Sequence, residues 1–164
     1  MARMTHRVTY SEIGCQLNLR DIAEASYNIE YQTNPFERLL WRHRKLISTC
    51  MIYSSGKIIC HGGKTTLRKY VRLLQKMGYA VNLKKIKFLT GSAVYNLSGI
   101  PDYRKIAKTM KGLYEPEIFH AVRFIKDGIH YIVYKSGKVA ITGIKSEKDL
   151  DTKVNPVLLE LEII

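Results

Sequence analysis

Few side chains in this sequence stand at spacings that support covalent or proton-transfer chemistry. Glu115 and Glu117 lie two residues apart, three thiols stand at Cys15, Cys50 and Cys60, and five histidines at 6, 43, 61, 120 and 130. An odd number of cysteines without paired spacing argues against a disulfide framework or a zinc site, so buried thiols are expected. The histidines form no HxH or HxxxH arrangement that could seat a metal. No phosphate-binding loop, dinucleotide fingerprint, nucleophile elbow or acid-base pair of carboxylates occurs either. No catalytic residue, metal site or cofactor is expected.

The chemistry on offer is electrostatic. Net charge is +13, and between Glu37 and Asp102 there is no carboxylate at all but 13 Lys or Arg. A tract purged of acids produces a field that an anion feels, and nucleic acid is the first candidate partner. Over 146–164 the sign reverses, with Glu147, Asp149, Asp151, Glu160 and Glu162 against Lys148 and Lys153, so the field is one-sided.

The elements that position these charges come twice. Ser55-Gly56-Lys57, Gly62 and Lys64 recur at one constant offset as Ser136-Gly137-Lys138, Gly143 and Lys145, and Pro35/Pro116, Tyr53/Tyr134 and Arg42/Arg123 share that offset. An internal duplication explains this, with repeats over 1–78 and 79–164 of one compact domain. Each repeat reads as a short strand, a helix (18–26; 100–111), a Pro-containing segment, and three strand-like runs. These runs are 39–43, 49–53 and 57–60 in the first repeat, and 121–125, 129–134 and 138–141 in the second. Asp127-Gly128 supplies a tight hairpin turn. A helix over 65–77 follows, with Gly78 as its left-handed stop, and near the C-terminus a helix opens at Ser146/Asp149 and is interrupted or restarted by Pro156. The pattern predicts an α+β fold with antiparallel sheet. At 46% apolar and 25% charged residues, with only short apolar runs and no expected signal peptide, the chain reads as a soluble intracellular protein.

Several segments, in order and spacing, resemble the TATA-box-binding protein family over almost the whole chain. They are Gly14 to Ala23, Asn34-Pro35, Tyr53 to Cys60 and Arg68 to Gly78 in the first repeat, and Tyr114 to Phe119 and Tyr134 to Gly143 in the second. The resemblance implies a saddle, a ten-stranded curved antiparallel sheet whose concave face binds the minor groove of double-stranded DNA, with four helices on the convex side. It also implies a nuclear transcription-initiation factor with TFIIB-like and TFIIA-like partners. That family is itself the standard example of apolar wedges kinking a duplex.

Carried over residue by residue, and with alternation along each strand, the implied groove-facing set is His6, Val8, Met51, Tyr53, Ile59, His61, Phe88, Thr90, Phe119, Ile132, Tyr134, Ala140 and Thr142. Tyr53 and Tyr134 take the second wedge position of each repeat, and Phe119 the first wedge of the second. Its first-repeat counterpart is Arg38 by the constant offset or Phe36 by counting 17 back from Tyr53, and the offset favours Arg38. His6 and Phe88 stand where the family has asparagines, and His61 where it has a threonine. Lost donors and added bulk weaken direct readout of A·T pairs. Arg42, Arg44, Lys57, Lys64, Arg123, Lys138 and Lys145 are the expected phosphate contacts. Glu115, Glu117 and Ile118 match the stirrup gripped by TFIIB, and Arg68, Arg72 and Lys76 the basic helix used by regulators. Two other readings stand beside promoter binding: a related factor that has lost TATA preference and acts as a scaffold or regulator, and an unrelated basic RNA-binding module that uses its aromatic strands as stacking platforms.

Overall fold

Period-two alternation builds nine strands and 3.6-residue spacing four α-helices across residues 1–164, which this computed structural model describes. Contacts divide the chain into two compact units: Arg7–Leu89, and Thr90–Ile164 together with Met1–His6. The sequence repeats and the contact units are thus different partitions of the chain.

In the unit Arg7–Leu89 the strand order is β2-β3-β4-β5-β1, all neighbours antiparallel. The strands are β1 (Arg3–Glu12, from Arg7 on in this unit), β2 (Ile29–Gln32), β3 (Arg38–Trp41), β4 (Cys50–Tyr53) and β5 (Lys57–Cys60). Helix α1 (Leu19–Ala25) starts where the Asn18 side chain accepts from the Asp21 N–H, and α2 (Lys64–Lys76) stops before Gly78 at φ 99°. Leu19 and Ile22 of α1 and Leu67, Tyr70 and Leu74 of α2 join Leu39, Trp41, Ile52 and Ile58 in one buried cluster, so both helices cover the same sheet face. Each of these side chains contributes about 1.5–3 kcal/mol of apolar burial. The other face is left open.

The second unit has the order β6-β9-β8-β7. Its elements are β6 (Lys87–Asn96, from Thr90 on), α3 (Tyr103–Thr109), β7 (Ala121–Lys126), β8 (Ile129–Tyr134), β9 (Lys138–Ile144), a π-helical turn (Leu150–Val154) and α4 (Asn155–Ile163). Asp102 caps α3 as Asn18 caps α1. Buried Val122, Phe124, Tyr131, Val133, Val139 and Ile141 alternate with open-face residues, and Val157, Leu158 and Leu161 of α4 are buried with them. Phe124 and Tyr131, cross-strand partners, stack with ring centroids 4.8 Å apart.

The structure departs from the sequence expectation in four places. Nine strands form rather than ten, because the chain that would mirror β2 touches the sheet only at a single Leu113–Arg123 bridge. It then turns away at Glu115, whose carbonyl accepts from the Ile118 and Phe119 N–H groups. The expected Pro-containing segment of the first repeat contains a true strand, β2, paired along its length with β3. The strands before α1 and α3 are long rather than short, at 10 residues each. No Ser146/Asp149 capping box forms: the Asp149 carboxylate accepts from the Lys145 N–H, a π-helical turn follows, and Pro156 starts α4. The Asp127-Gly128 hairpin forms with both φ angles positive, as expected.

The repeated Ser-Gly-Lys segment is a turn that only glycine permits. Gly56 and Gly137 have φ 95° and 89°, and each donates its N–H to the carbonyl of the preceding tyrosine, Tyr53 or Tyr134. A Cβ on Gly56 would lie 2.6 Å from the Cys15 carbonyl oxygen.

Candidate nucleic-acid interface

On the open face of the unit Arg7–Leu89, register aligns a row across four strands: Leu40, Met51, Ile59 and Tyr10. Beside it Arg38 faces Tyr53, and Lys57 faces Glu12. The expected Val8, Met51, Tyr53 and Ile59 are half-buried there, and His61 is exposed. Phe88 is half-buried. On the open face of the second unit Arg123, Ile132, Ala140 and Val94 form the matching row. Ala121 faces Tyr134 there, Lys138 faces Asn96, and His130, Thr142 and Ser92 align beyond them. His6 is exposed and Thr90 half-buried. Leu40, Tyr10, Val94, Ser92, Asn96 and His130 were not expected from the sequence. Only cross-strand register brings them into these rows, although alternation along β1, β6 and β8 carried the signal.

Register also revises which residues of the two repeats are equivalent. Arg38 pairs with Tyr53, but Ala121 pairs with Tyr134, so β3 and β7 are offset by two positions more than the strands that follow them, which keep the constant offset. The path from Arg38 to its partner Tyr53 is two residues longer than that from Ala121 to its partner Tyr134, which shifts the residues before it. The first-repeat counterpart of Phe119 is therefore Phe36, not the Arg38 that the constant offset favours. Arg42/Arg123 and Pro35/Pro116 match in letters without matching in place. Arg123 sits inside β7, whereas Arg42 lies beyond the end of β3.

The aromatic and basic groups meet in pairs. Phe119, 36% exposed, contacts Tyr134 edge-on at 6.2 Å, and the Arg123 guanidinium lies 5.1 Å above its ring. The Lys57 ammonium lies 5.3 Å over Tyr10. Two carboxylates near this face already have cationic partners. Glu12 accepts from Lys84 and from the Tyr10 hydroxyl, which lowers its pKa, and Glu30 faces Arg42 at 3.8 Å. Arg44, Lys64, Lys138 and Lys145 are exposed and enter no ion pair. The result is a pair of apolar strips with basic rims. Such surfaces suit a polyanion with flat apolar groups.

Away from the open faces, Arg68, Arg72 and Lys76 follow Lys64 at every fourth residue along α2, all exposed, in a helix without an acid. Glu115 is half-buried in the turn after the Leu113 bridge, with Glu117 exposed and Ile118 75% exposed beside it.

A family model described as "Transcription factor TFIID (or TATA-binding protein, TBP)" matches residues 3–77 and 95–162. The chain belongs to the TATA-binding protein family. It is 33% identical to a TATA-box-binding protein of Caenorhabditis elegans over 96% of its own length and 50% of that protein. It is 32% identical to one of Artemia franciscana, over 87% and 56%. A TATA box-binding protein-like 2 of Rattus norvegicus matches at 31% over 87% of the chain and 44% of the relative. The chain thus spans about half the length of these curated relatives. Methanococcus jannaschii TBP superposes with a TM-score of 0.86 at 27% identity, covering 99% of both chains. The α+β fold is accordingly that of TBP, in a family of transcription factors. Phe88 and Thr90 fall in the stretch 78–94 that the TBP family model does not match.

Proposed function

We propose that this protein is a transcription-initiation factor that binds double-stranded DNA in the minor groove through its open sheet faces. The observation that carries the proposal is the repeated surface: the half-buried apolar rows Leu40-Met51-Ile59-Tyr10 and Ile132-Ala140-Val94, with Tyr53 or Tyr134 beside them and an exposed Lys57 or Lys138 at the rim. The apolar rows suit the groove floor and sugars, and the lysines and arginines suit phosphates, which supply affinity without sequence information. Phe119 and Phe36, at equivalent places beyond the tyrosines, are the wedges that enter a base step and kink it. The basic stripe of α2 and the Glu115-Glu117-Ile118 turn serve as docking points for TFIIA-like regulators and a TFIIB-like factor in the nucleus.

The test is binding to a TATA duplex and to a scrambled duplex at one fixed salt concentration. A salt-dependent affinity for both supports duplex binding, and a preference for TATA supports promoter recognition. Tighter binding to single-stranded RNA than to any duplex would overturn the proposal. A specificity ratio near one supports a second reading, a family member that has given up TATA preference and acts through its partners. Phe88 favours that reading, because it places a ring with no donor where the family has an asparagine. Loss of TFIIB-like binding on Glu117→Arg tests the docking turn in either case.

A further inference from the structure

Two of the three cysteines, unpaired by spacing along the chain, meet across strands. Cys50 on β4 is the register partner of Cys60 on β5, and both are free, fully buried thiols. The His61 N–H donates to the Thr49 carbonyl at 2.8 Å, one step along the same ladder. Hydrogen-bonded and non-hydrogen-bonded pairs alternate in an antiparallel ladder, so Cys50 and Cys60 form a non-hydrogen-bonded pair, whose Cα atoms stand about 4.5 Å apart. A disulfide spans about 4.4–6.8 Å between Cα atoms. Both side chains are in step with buried Ile52 and Ile58, on the face covered by the helices, and share their cluster with Tyr70 of α2. The fold does not ask for sulfur here: at the repeat-equivalent pair of the second unit stand Tyr131 and Ile141, which are also register partners. Burial pushes the Cys50 thiol up, whereas the hydrogen bond that Cys50 donates to Cys60, with Ser48 adding to it, lowers that of Cys60.

We propose that Cys50 and Cys60 are a reversible modification site, at which a hydroperoxide converts the two thiols into an intramolecular disulfide that staples β4 to β5. The Cys60 thiolate attacks one peroxide oxygen, a sulfur–oxygen bond forms as the oxygen–oxygen bond breaks, and hydroxide leaves. The Cys50 sulfur then attacks the resulting sulfenic sulfur, the sulfur–oxygen bond breaks, and the departing hydroxide leaves as water with the Cys50 proton. Two thiols give up two electrons and two protons, and hydrogen peroxide becomes two waters. A dithiol reverses the step by exchange. Access needs a local opening rather than unfolding of the sheet. Half-buried Ser48, which touches the Cys60 thiol, lies on the connection between β3 and β4, and the Tyr70 hydroxyl holds it there. The neighbouring Ile47 is 91% exposed at φ 47°, a conformation that disfavours a β-branched residue, so this connection is the segment that lifts. The staple closes the hairpin that carries Met51, Tyr53, Lys57 and Ile59, and so ties that part of the open face to the oxidation state of the core beneath it.

The experiment treats the folded full chain with hydrogen peroxide, removes the excess with catalase, unfolds and alkylates the free thiols, and maps the peptides by mass. The expected product is a Cys50–Cys60 linked peptide with Cys15 alkylated, and dithiothreitol returns all three thiols. Cys15→Ser is expected to form the same link, whereas Cys50→Ala stops at a Cys60 sulfenic acid that dimedone traps. Closing this short loop should lower the unfolding equilibrium constant in urea by about 100-fold relative to the reduced chain, a change absent from Cys50→Ala. The proposal is overturned if Cys50 and Cys60 stay alkylatable under conditions that oxidise Cys15, if the link appears only in urea, or if the oxidised chain is less stable than the reduced one, which would show that the pair does not stand at bridging distance.

Discussion

Two tyrosines offer the same chemical change with opposite expected signs. Tyr70 is fully buried, and its hydroxyl donates to the Ser48 carbonyl at 2.8 Å or the Trp41 carbonyl at 3.2 Å. It also accepts from the Ser48 hydroxyl at 3.1 Å and the His43 N–H at 3.3 Å. One atom thereby pins the long β3–β4 connection that carries Arg42, Arg44 and Thr49. Tyr131 is 1% exposed, and its hydroxyl has no hydrogen-bond partner. For Tyr70→Phe, about 1 kcal/mol for each of two lost bonds and about 1 kcal/mol for the stranded His43 N–H gives about 3 kcal/mol of destabilisation. For Tyr131→Phe, removing a buried orphan hydroxyl is worth about 1 kcal/mol of stabilisation, since its desolvation cost disappears and the ring contact with Phe124 stays.

Urea unfolding at neutral pH reads both. The midpoints should move in opposite directions, about 4 kcal/mol apart in total, with unchanged m-values. Shifts of the same sign, or a separation below about 1 kcal/mol, would refute the assignment of the hydroxyl environments. An alkaline titration adds a second check. Burial pushes the Tyr131 phenol up to about 12 from 10.0. A raised folded-state value means its contribution is fully present below pH 10 and is lost as pH rises toward about 12. Tyr131→Phe should therefore flatten the loss of stability in that window.

Three further outcomes are expected. Lys57→Ala and Lys138→Ala should each lower the slope of log affinity against log salt by about 0.9 for duplex DNA, measured by anisotropy across a salt series. Phe36→Ala and Phe119→Ala should both reduce DNA bending in an energy-transfer assay while Arg38→Ala does not, and bending lost with Arg38 rather than Phe36 would contradict the register. Glu162 accepts from the Tyr95 hydroxyl at 2.8 Å and the Ser98 N–H at 3.1 Å, and these hydrogen bonds, those of Ser98 foremost, lower its pKa. A depressed carboxylate stabilises above its unfolded value of about 4.5 and loses that contribution as pH falls through the folded value. Glu162→Gln should accordingly weaken the acid limb of the pH-stability curve, and an unchanged limb would show that this latch adds nothing.

Local features were legible from the chain because their causes are local. The Gly56 and Gly137 turns need positive φ, Gly78 stops α2, and Asp127-Gly128 forms a two-residue hairpin, each by the backbone freedom of a few residues. Alternation within β4, β5, β8 and β9 marked Met51, Tyr53, Ile59, Ile132, Tyr134 and Ala140 for the open faces. Tyr10 and Val94 were missed because their partners, Ile59 and Ala140, lie far away along the chain. The loss of a tenth strand at Leu113 was equally hidden, since it depends on where the chain turns at Glu115.

By itself, the sequence determined the charge field, the duplication, the turns and the family, since each is written in residue types or short spacings. Tertiary structure decided which residues are equivalent and which stand together. The letters pair Arg42 with Arg123, yet hydrogen-bonded register sets Leu40 against Met51 and Arg123 against Ile132, making Phe36 the counterpart of Phe119. Two extra residues on the path from Arg38 to Tyr53 shift the equivalences before it without disturbing the match after it. The His130-Thr142-Ser92 row is likewise visible only across strands, because a side chain's neighbours on a sheet are chosen by pairing and burial rather than by order along the chain.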